Sequence, residues 1–160
     1  MGDGPSEMIL LIAGLIVAAL VSGVLLQSWD DMSGVLDQRG KQGMEDVKTR
    51  VSLANDPINI GWDPGNDTAV IHLQNSGDSF LDVEDVGIML NGSAMTVTKW
   101  NGITEWLPGE IVEFTISGAA SGLDFFPDAT YDVHLAATVV STSGSYAGLD
   151  TLREVVRIAS

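Results

Sequence analysis

The run Met8-Ile9-Leu10-Leu11-Ile12-Ala13-Gly14-Leu15-Ile16-Val17-Ala18-Ala19-Leu20-Val21-Ser22-Gly23-Val24-Leu25-Leu26 holds 19 residues with no charge and no proline, and Ser22 is its single polar side chain. At ~1.5 Å rise per residue such a stretch spans about 28 Å as a helix, close to the ~30 Å hydrocarbon thickness of a bilayer. It fits a membrane or the core of a helical bundle. A secretory signal peptide opens on basic residues and ends at a small-residue cleavage site, whereas residues 1–7 carry Asp3 and Glu7 and no Lys or Arg. Within the run Gly14, Ala18 and Ser22 recur every four residues, and Ala19 and Gly23 form an adjacent pair. On a helix these make a stripe along which another backbone can approach closely, although membrane helices are rich in small residues in any case.

Beyond Trp29, which falls at the level of a membrane interface, Met32, Val35, Leu36, Met44, Val47 and Val51 continue at mostly three- and four-residue intervals. The pattern predicts a helix from about Ser6 to Leu53, with a bend or loose turn near Gly34, Gly40 and Gly43. Asn55-Asp56-Pro57 is the expected stop, because a residue before proline avoids the helical region. Charge near the span does not set its orientation. Arg39 and Lys41 lie well past Asp30 and Asp31, and a long head is translocated regardless of such charges.

The remainder reads as strands. Ile58–Trp62 and Ala69–Asn75 are candidates, the second with Ile71 and Leu73 on one face and His72 and Gln74 on the other. Val86, Ile88 and Leu90 alternate up to Asn91-Gly92, a pair that tolerates positive φ, and Met95 and Val97 resume beyond it as a hairpin. Pro108-Gly109 fits the centre of a type II turn leading into Val112, Phe114 and Ile116. Tyr131 to Val139 and Leu152 to Ile158 complete seven or so strands. The expected fold class is therefore α+β, a long hydrophobic N-terminal helix (1–53, assembly helix and stalk) followed by an all-β Ig-like sandwich head (54–160). About 110 residues suit one small sandwich and no second domain.

Charge narrows the function. The net charge is −15, and residues 51–160 carry 15 acidic side chains against Lys99, Arg153 and Arg157 alone. Nucleic acid and anionic headgroups both require clustered Lys or Arg, so nucleic-acid binding is excluded. Asp in excess over Glu, with almost no Lys, suits a protein kept hydrated in strong salt. With no cysteine there is no disulfide, no thiolate nucleophile and no Cys-bound metal.

Searches for catalytic motifs find none: there is no G-x-S-x-G, H-E-x-x-H or G-x-G-x-x-G, and Gln42 after Lys41 spoils a phosphate loop. No cofactor is expected, and the chain does not read as an enzyme. His72 and His134 fall opposite the apolar strand faces and are read as solvated. The loops holding Asp63, Asn66 and Asp67, and Asp82, Glu84 and Asp85, lack the spacing of a calcium-binding EF-hand loop. Trp62, Trp100, Trp106, Phe125 and Phe126 are read as core side chains. Asn66-Asp67-Thr68 and Asn91-Gly92-Ser93 match the N-glycosylation acceptor pattern, which has meaning only for a head outside the cell.

The run Ser6-Glu7-Met8-Ile9-Leu10-Leu11-Ile12-Ala13, then Leu15 to Ala19 and Val21-Ser22-Gly23, resembles the N-terminus of the FlaG (ArlG) family of archaellum accessory proteins, within the archaellin and type IV pilin-like superfamily. The similarity is concentrated in about the first 40 residues; the rest agrees in kind, as a short acidic sandwich with a Pro-Gly-Glu turn. It implies a helix in the archaeal membrane packed against like helices, a head outside the cytoplasm, and a stationary, non-enzymatic part in the archaellum motor. A FlaF-like protein would cap it and touch the S-layer. The superfamily carries a glutamate five residues after a glycine processing site, and Glu7 stands so after Gly2. No Lys or Arg precedes that glycine, which departs from the pattern. By the resemblance Glu7 pairs with a neighbouring subunit's terminal amine; by its position alone it is a favourable charge near a helix N-terminus. An archaellin or pilin-like filament subunit shares the same plan and is the alternative. A membrane-anchored binding module, recognising a ligand through its loops, is the third.

Overall fold

The computed structural model describes residues 3–142 and 146–160. Gly2, the glycine of the processing pattern, lies outside the described residues. Contacts divide the chain into two compact units, Met1–Gly40 and Lys41–Ser160.

The expected α+β plan is present, a long apolar helix followed by a mostly antiparallel sandwich. Helix α1 runs Asp3–Lys48, 46 residues, or about 69 Å at the ordinary rise. It continues unbroken through Gly34, Gly40 and Gly43, where leucine-, valine- and glutamine-type neighbours of good or fair propensity outweigh a penalty of up to ~1 kcal/mol per glycine. At its C-terminal end the helix stops short of the expected Leu53. Val51–Leu53 form strand β1 and pair with β3 (Thr68–Asn75) through Val51 opposite Asn75 and Leu53 opposite Leu73. Val51 therefore extends the helical spacing in sequence only; its side chain gains more by entering the sandwich core than by staying on a helix face.

The other strands are β2 (Ile60–Asp63), β4 (Leu81–Leu90), β5 (Ser93–Ala94), β6 (Thr96–Lys99), β7 (Ile111–Ser117), β8 (Thr130–Ser141) and β9 (Leu149–Ala159). Their order is β5-β4-β8-β9-β2-β3-β7-β6, with β1 beside β3. All pairings are antiparallel except β2 with β9, where Ile60 lies opposite Ile158. That single parallel joint hydrogen-bonds one sheet to the other and bends the sandwich towards a barrel, while the chain itself crosses between sheets at the β3–β4, β5–β6 and β7–β8 connections.

Alternation puts Ile71 and Leu73, Ile88 and Leu90, Val112, Phe114 and Ile116, and Val133, Leu135, Ala137 and Val139 into one core. Trp106, wholly covered, lies against Phe114 with ring centroids 5.4 Å apart, and Trp62 meets Phe125 edge-on at 4.9 Å. Trp100 and Phe126 depart from expectation and are exposed. Trp100 stands just beyond β6, a strand paired on one side, and the core volume is already filled by Trp106 and Phe114. The Pro108-Gly109 turn is as expected, with φ +85 at Gly109 and the Glu110 N–H donating to Leu107 O at 3.1 Å. The hairpin at Asn91-Gly92 also forms, but its second strand lasts two residues before β6 crosses to pair with β7.

Candidate assembly and anchoring site

Residues 4–26 form a helix whose large apolar side chains, Met8, Ile9, Leu10, Leu11, Ile12 and onwards to Leu26, are more than half exposed, with Val21 the least so at 53%. An 18-residue window reaches a mean hydropathy of 2.9, and none of it is covered. A contiguous apolar surface of this size marks a face for lipid or for another apolar surface. Gly14, Ala18, Ser22, Ala19 and Gly23 all lie on α1 and are all exposed, with nothing within 4 Å of where a Cβ on Gly14 or Gly23 would stand. Glu7 is exposed within the first two turns, where a carboxylate complements the helix dipole. The structure thus places Glu7, Gly14, Ala18, Ala19, Ser22 and Gly23 on one helix.

A second construction was not foreseen. The last helical turns, residues 41–48, belong to the same compact unit as the sandwich and are seated on it. A helix end leaves carbonyls without partners, and here the loops supply them. Lys48 O accepts from the Asp78 N–H at 2.8 Å and the Ser79 N–H at 3.3 Å, while Glu45 O accepts from the Thr49 N–H and hydroxyl at 2.9 and 2.7 Å. On the facing loop the Leu149 N–H donates to Asp46 Oδ1 at 3.0 Å, and Gln42 Nε2 donates to Ala147 O at 2.6 Å. Val51 N–H donates to Asp150 Oδ2 at 2.9 Å.

Two glycines permit this approach. A Cβ on Gly77 would stand 2.0 Å from Lys48 O, and one on Gly148 would stand 2.2 Å from Thr49 Oγ1. Neither position has room for a side chain. Asn75, fully buried, braces the first loop: Nδ2 donates to Ser79 O at 2.8 Å and to Trp106 O at 3.2 Å, and Oδ1 accepts from the Gly77 N–H at 3.1 Å. Asn75-Ser76-Gly77-Asp78 carries turn-forming residues not singled out from the sequence, and nothing local tells that Gly77 faces a helix end roughly 30 residues upstream.

The titratable groups are dispersed. Among the described residues no three His, Asp or Glu side chains gather to hold a metal. His72 Nε2 lies 3.5 Å from Glu113 across the β3–β7 ladder, and His134 is exposed. Asp63 is held below the usual carboxylate range, first by the Asn66 amide and then by the Gly65 N–H. Asp67 is raised, by partial burial first and then by the charge of Asp124. Asn66 lies in the turn between β2 and β3, and Asn91 at the tip between β4 and β5, both exposed.

A bare apolar helix leading an acidic, mostly antiparallel sandwich defines a helix-led protein of the α+β class. The archaeal-type flagellin family matches residues 3–152, and the chain belongs to that family. A flagella-related protein G of Methanococcus voltae is 32% identical over 96 residues, covering 59% of this chain and 63% of the relative. A flagella-related protein G of Methanocaldococcus jannaschii is 23% identical over 124 residues, covering 73% of this chain and 80% of the relative. The match therefore spans less than two thirds of the M. voltae protein and four fifths of the other. The FlaG-type resemblance is upheld by both relatives, and matches of 96 and 124 residues carry it beyond the first 40 residues where it was expected to be concentrated.

Proposed function

We propose that the protein is a membrane-anchored, stator-type component of the archaellum motor, without catalytic activity, which self-assembles through α1 and holds its head outside the cytoplasm. The observation that carries this reading is the uncovered apolar surface of residues 8–26 in a member of the flagellin family. Lipid covers that surface on the span as a whole, and the small stripe Gly14, Ala18 and Ser22, with Ala19 and Gly23 beside it, gives like helices a close approach. Glu7 then stands where a neighbouring chain's terminal amine can meet it in an apolar bundle.

The seat at residues 42–51 supports a stationary rather than a passive role. A part that resists torque needs a joint that does not swivel, and backbone hydrogen bonds from two loops with two Cβ-free contacts fix the helix end to the sandwich. Outside the membrane the acidic head meets a FlaF-like accessory protein and the S-layer. The test is a deletion strain: archaellins are expected to be made while assembly or rotation fails. Normal swimming by that strain refutes the motor role. Recovery of the chain as the bulk subunit of purified filaments replaces the stator by the filament-subunit reading.

A further inference from the structure

The chain carries two acceptor triplets of identical grammar, Asn66-Asp67-Thr68 and Asn91-Gly92-Ser93, and the fold treats them differently. N-glycosylation makes a bond from the asparagine Nδ2, so that nitrogen must be free and the triplet must be able to leave the sheet and enter a transferase groove. Asn66 fails on both counts. Its Nδ2 donates to Asp63 Oδ2 at 2.7 Å. Asp67 O accepts from the Gly118 N–H at 2.8 Å, and Thr68 is paired on both sides, with Asp63 of β2 and Ser117 of β7. Releasing this triplet unzips a central strand, which lies at the costly end of local opening.

Asn91 is built the other way. It is exposed at the tip of the β4–β5 hairpin, with φ +49 followed by φ +80 at Gly92. Its Oδ1 accepts from the His134 N–H at 3.1 Å, which turns the amide group by its oxygen, and among the described residues its Nδ2 has no hydrogen-bond partner. Ser93 is held opposite Leu90 in a strand of two residues that ends the strand order. Opening it breaks this two-residue edge pairing and the two bonds of Asn91 to His134, whose O also accepts from the Asn91 N–H at 2.9 Å, and leaves the ladder of β8 with β9 intact.

We propose that Asn91 is the N-glycosylation site of the head and that Asn66 stays unmodified. The co-reactant is an oligosaccharide carried on a lipid phosphate or pyrophosphate. Asn91 Nδ2 attacks the anomeric carbon, the bond from that carbon to the phosphate oxygen breaks with its electron pair leaving on the phosphate, and Nδ2 loses one proton. The proposal rests on the head lying outside the cytoplasm, as proposed above.

The test is mass spectrometry of the full-length protein from its native cells, cut at acidic residues such as Asp78 and Asp82 so that the two triplets fall on separate peptides. A glycan mass is expected on the Asn91 peptide alone. It is lost in Asn91→Asp, which keeps the turn and the acceptor for His134 but lacks the nitrogen, and in Ser93→Ala, and it persists in Asn66→Gln. A bare Asn91 peptide, or a glycan on Asn66, overturns the assignment. Topology is read separately with Asn101→Cys, an exposed position in a chain without cysteine, and a membrane-impermeant maleimide on intact cells. A labelled head with bare Asn91 overturns the site alone; an unlabelled head with bare Asn91 overturns the outside placement as well.

Discussion

Leucine meets opposite fates in the two compact units. Leu10 and Leu11 of Met1–Gly40 are 71% and 65% exposed, whereas Leu73 and Leu90 of Lys41–Ser160 are 0% exposed. The residue is the same; the available partner differs. In the head an alternating strand shows its apolar side to a facing sheet from the same chain. The helix is apolar all round between residues 8 and 26, and its large side chains are exposed. A surface of this kind suits lipid or another apolar surface. One unit buries its apolar side chains within itself, and the other leaves them exposed.

That contrast is broken most strongly from the head side. Trp106→Ala removes a fully covered ring from the core and is expected to cost about 3–5 kcal/mol. Denaturant unfolding in detergent should show the β transition moved to lower concentration while the helical signal of the anchor survives; simultaneous loss of both would show that the units are not independent. Next, Val17→Arg places a charge near the middle of the apolar run, which costs about 2.5–3.5 kcal/mol at a span centre. Membrane fractionation should find the variant released or degraded with the head's melting unchanged, and normal retention would remove the anchor.

The joint is sharpened by Gly77→Ala, whose added Cβ meets Lys48 O at 2.0 Å and should cost about 1–3 kcal/mol as overpacking. Hydrogen exchange should rise at Thr49, Asp78 and Ser79 before it rises in β8; unchanged protection there would mean that the seat does not hold the helix end. The smallest effect belongs to the exposed pair of Arg157 with Asp132, 2.8 Å apart. Asp132 is held below its ordinary value, first by the Arg157 hydrogen bond and then by its charge. A depressed carboxyl stabilises the fold above its unfolded pKa and loses that contribution as pH falls through the folded one. Wild type and Asp132→Asn should therefore differ slightly at about pH 6 and converge at about pH 2. A gap that widens in acid would reverse the sign.

Much of this was legible without coordinates, for reasons that are local. The period-two pattern in Ile71-Leu73 and Val112-Phe114-Ile116 needs only the alternation of a strand to declare its buried face. Pro108-Gly109 and Asn91-Gly92 declare turns because few residues tolerate the backbone those turns require. The helix's C-terminal end was misplaced because Val51 fits both a helical spacing and a strand, and the choice falls to its pairing opposite Asn75. Trp100 and Phe126 were assigned to the core because an aromatic residue carries no mark of which face it takes near a loop. The four-residue spacing of small residues from Gly14 to Gly23 is visible along the chain, while the seat at Gly77 and Gly148 is not.

By itself, the order of residues determined that an uncharged helix of membrane length leads an acidic sandwich, because hydropathy and periodicity are properties of neighbours along the chain. The tertiary structure decided which loops close on the helix end, how the two sheets are joined at the β2–β9 pairing, and which of the two acceptor triplets lies in an edge hairpin. Those outcomes depend on contacts between residues far apart in sequence. No local preference encodes them, since each is set by what arrives from elsewhere to fill the space or complete the hydrogen bond.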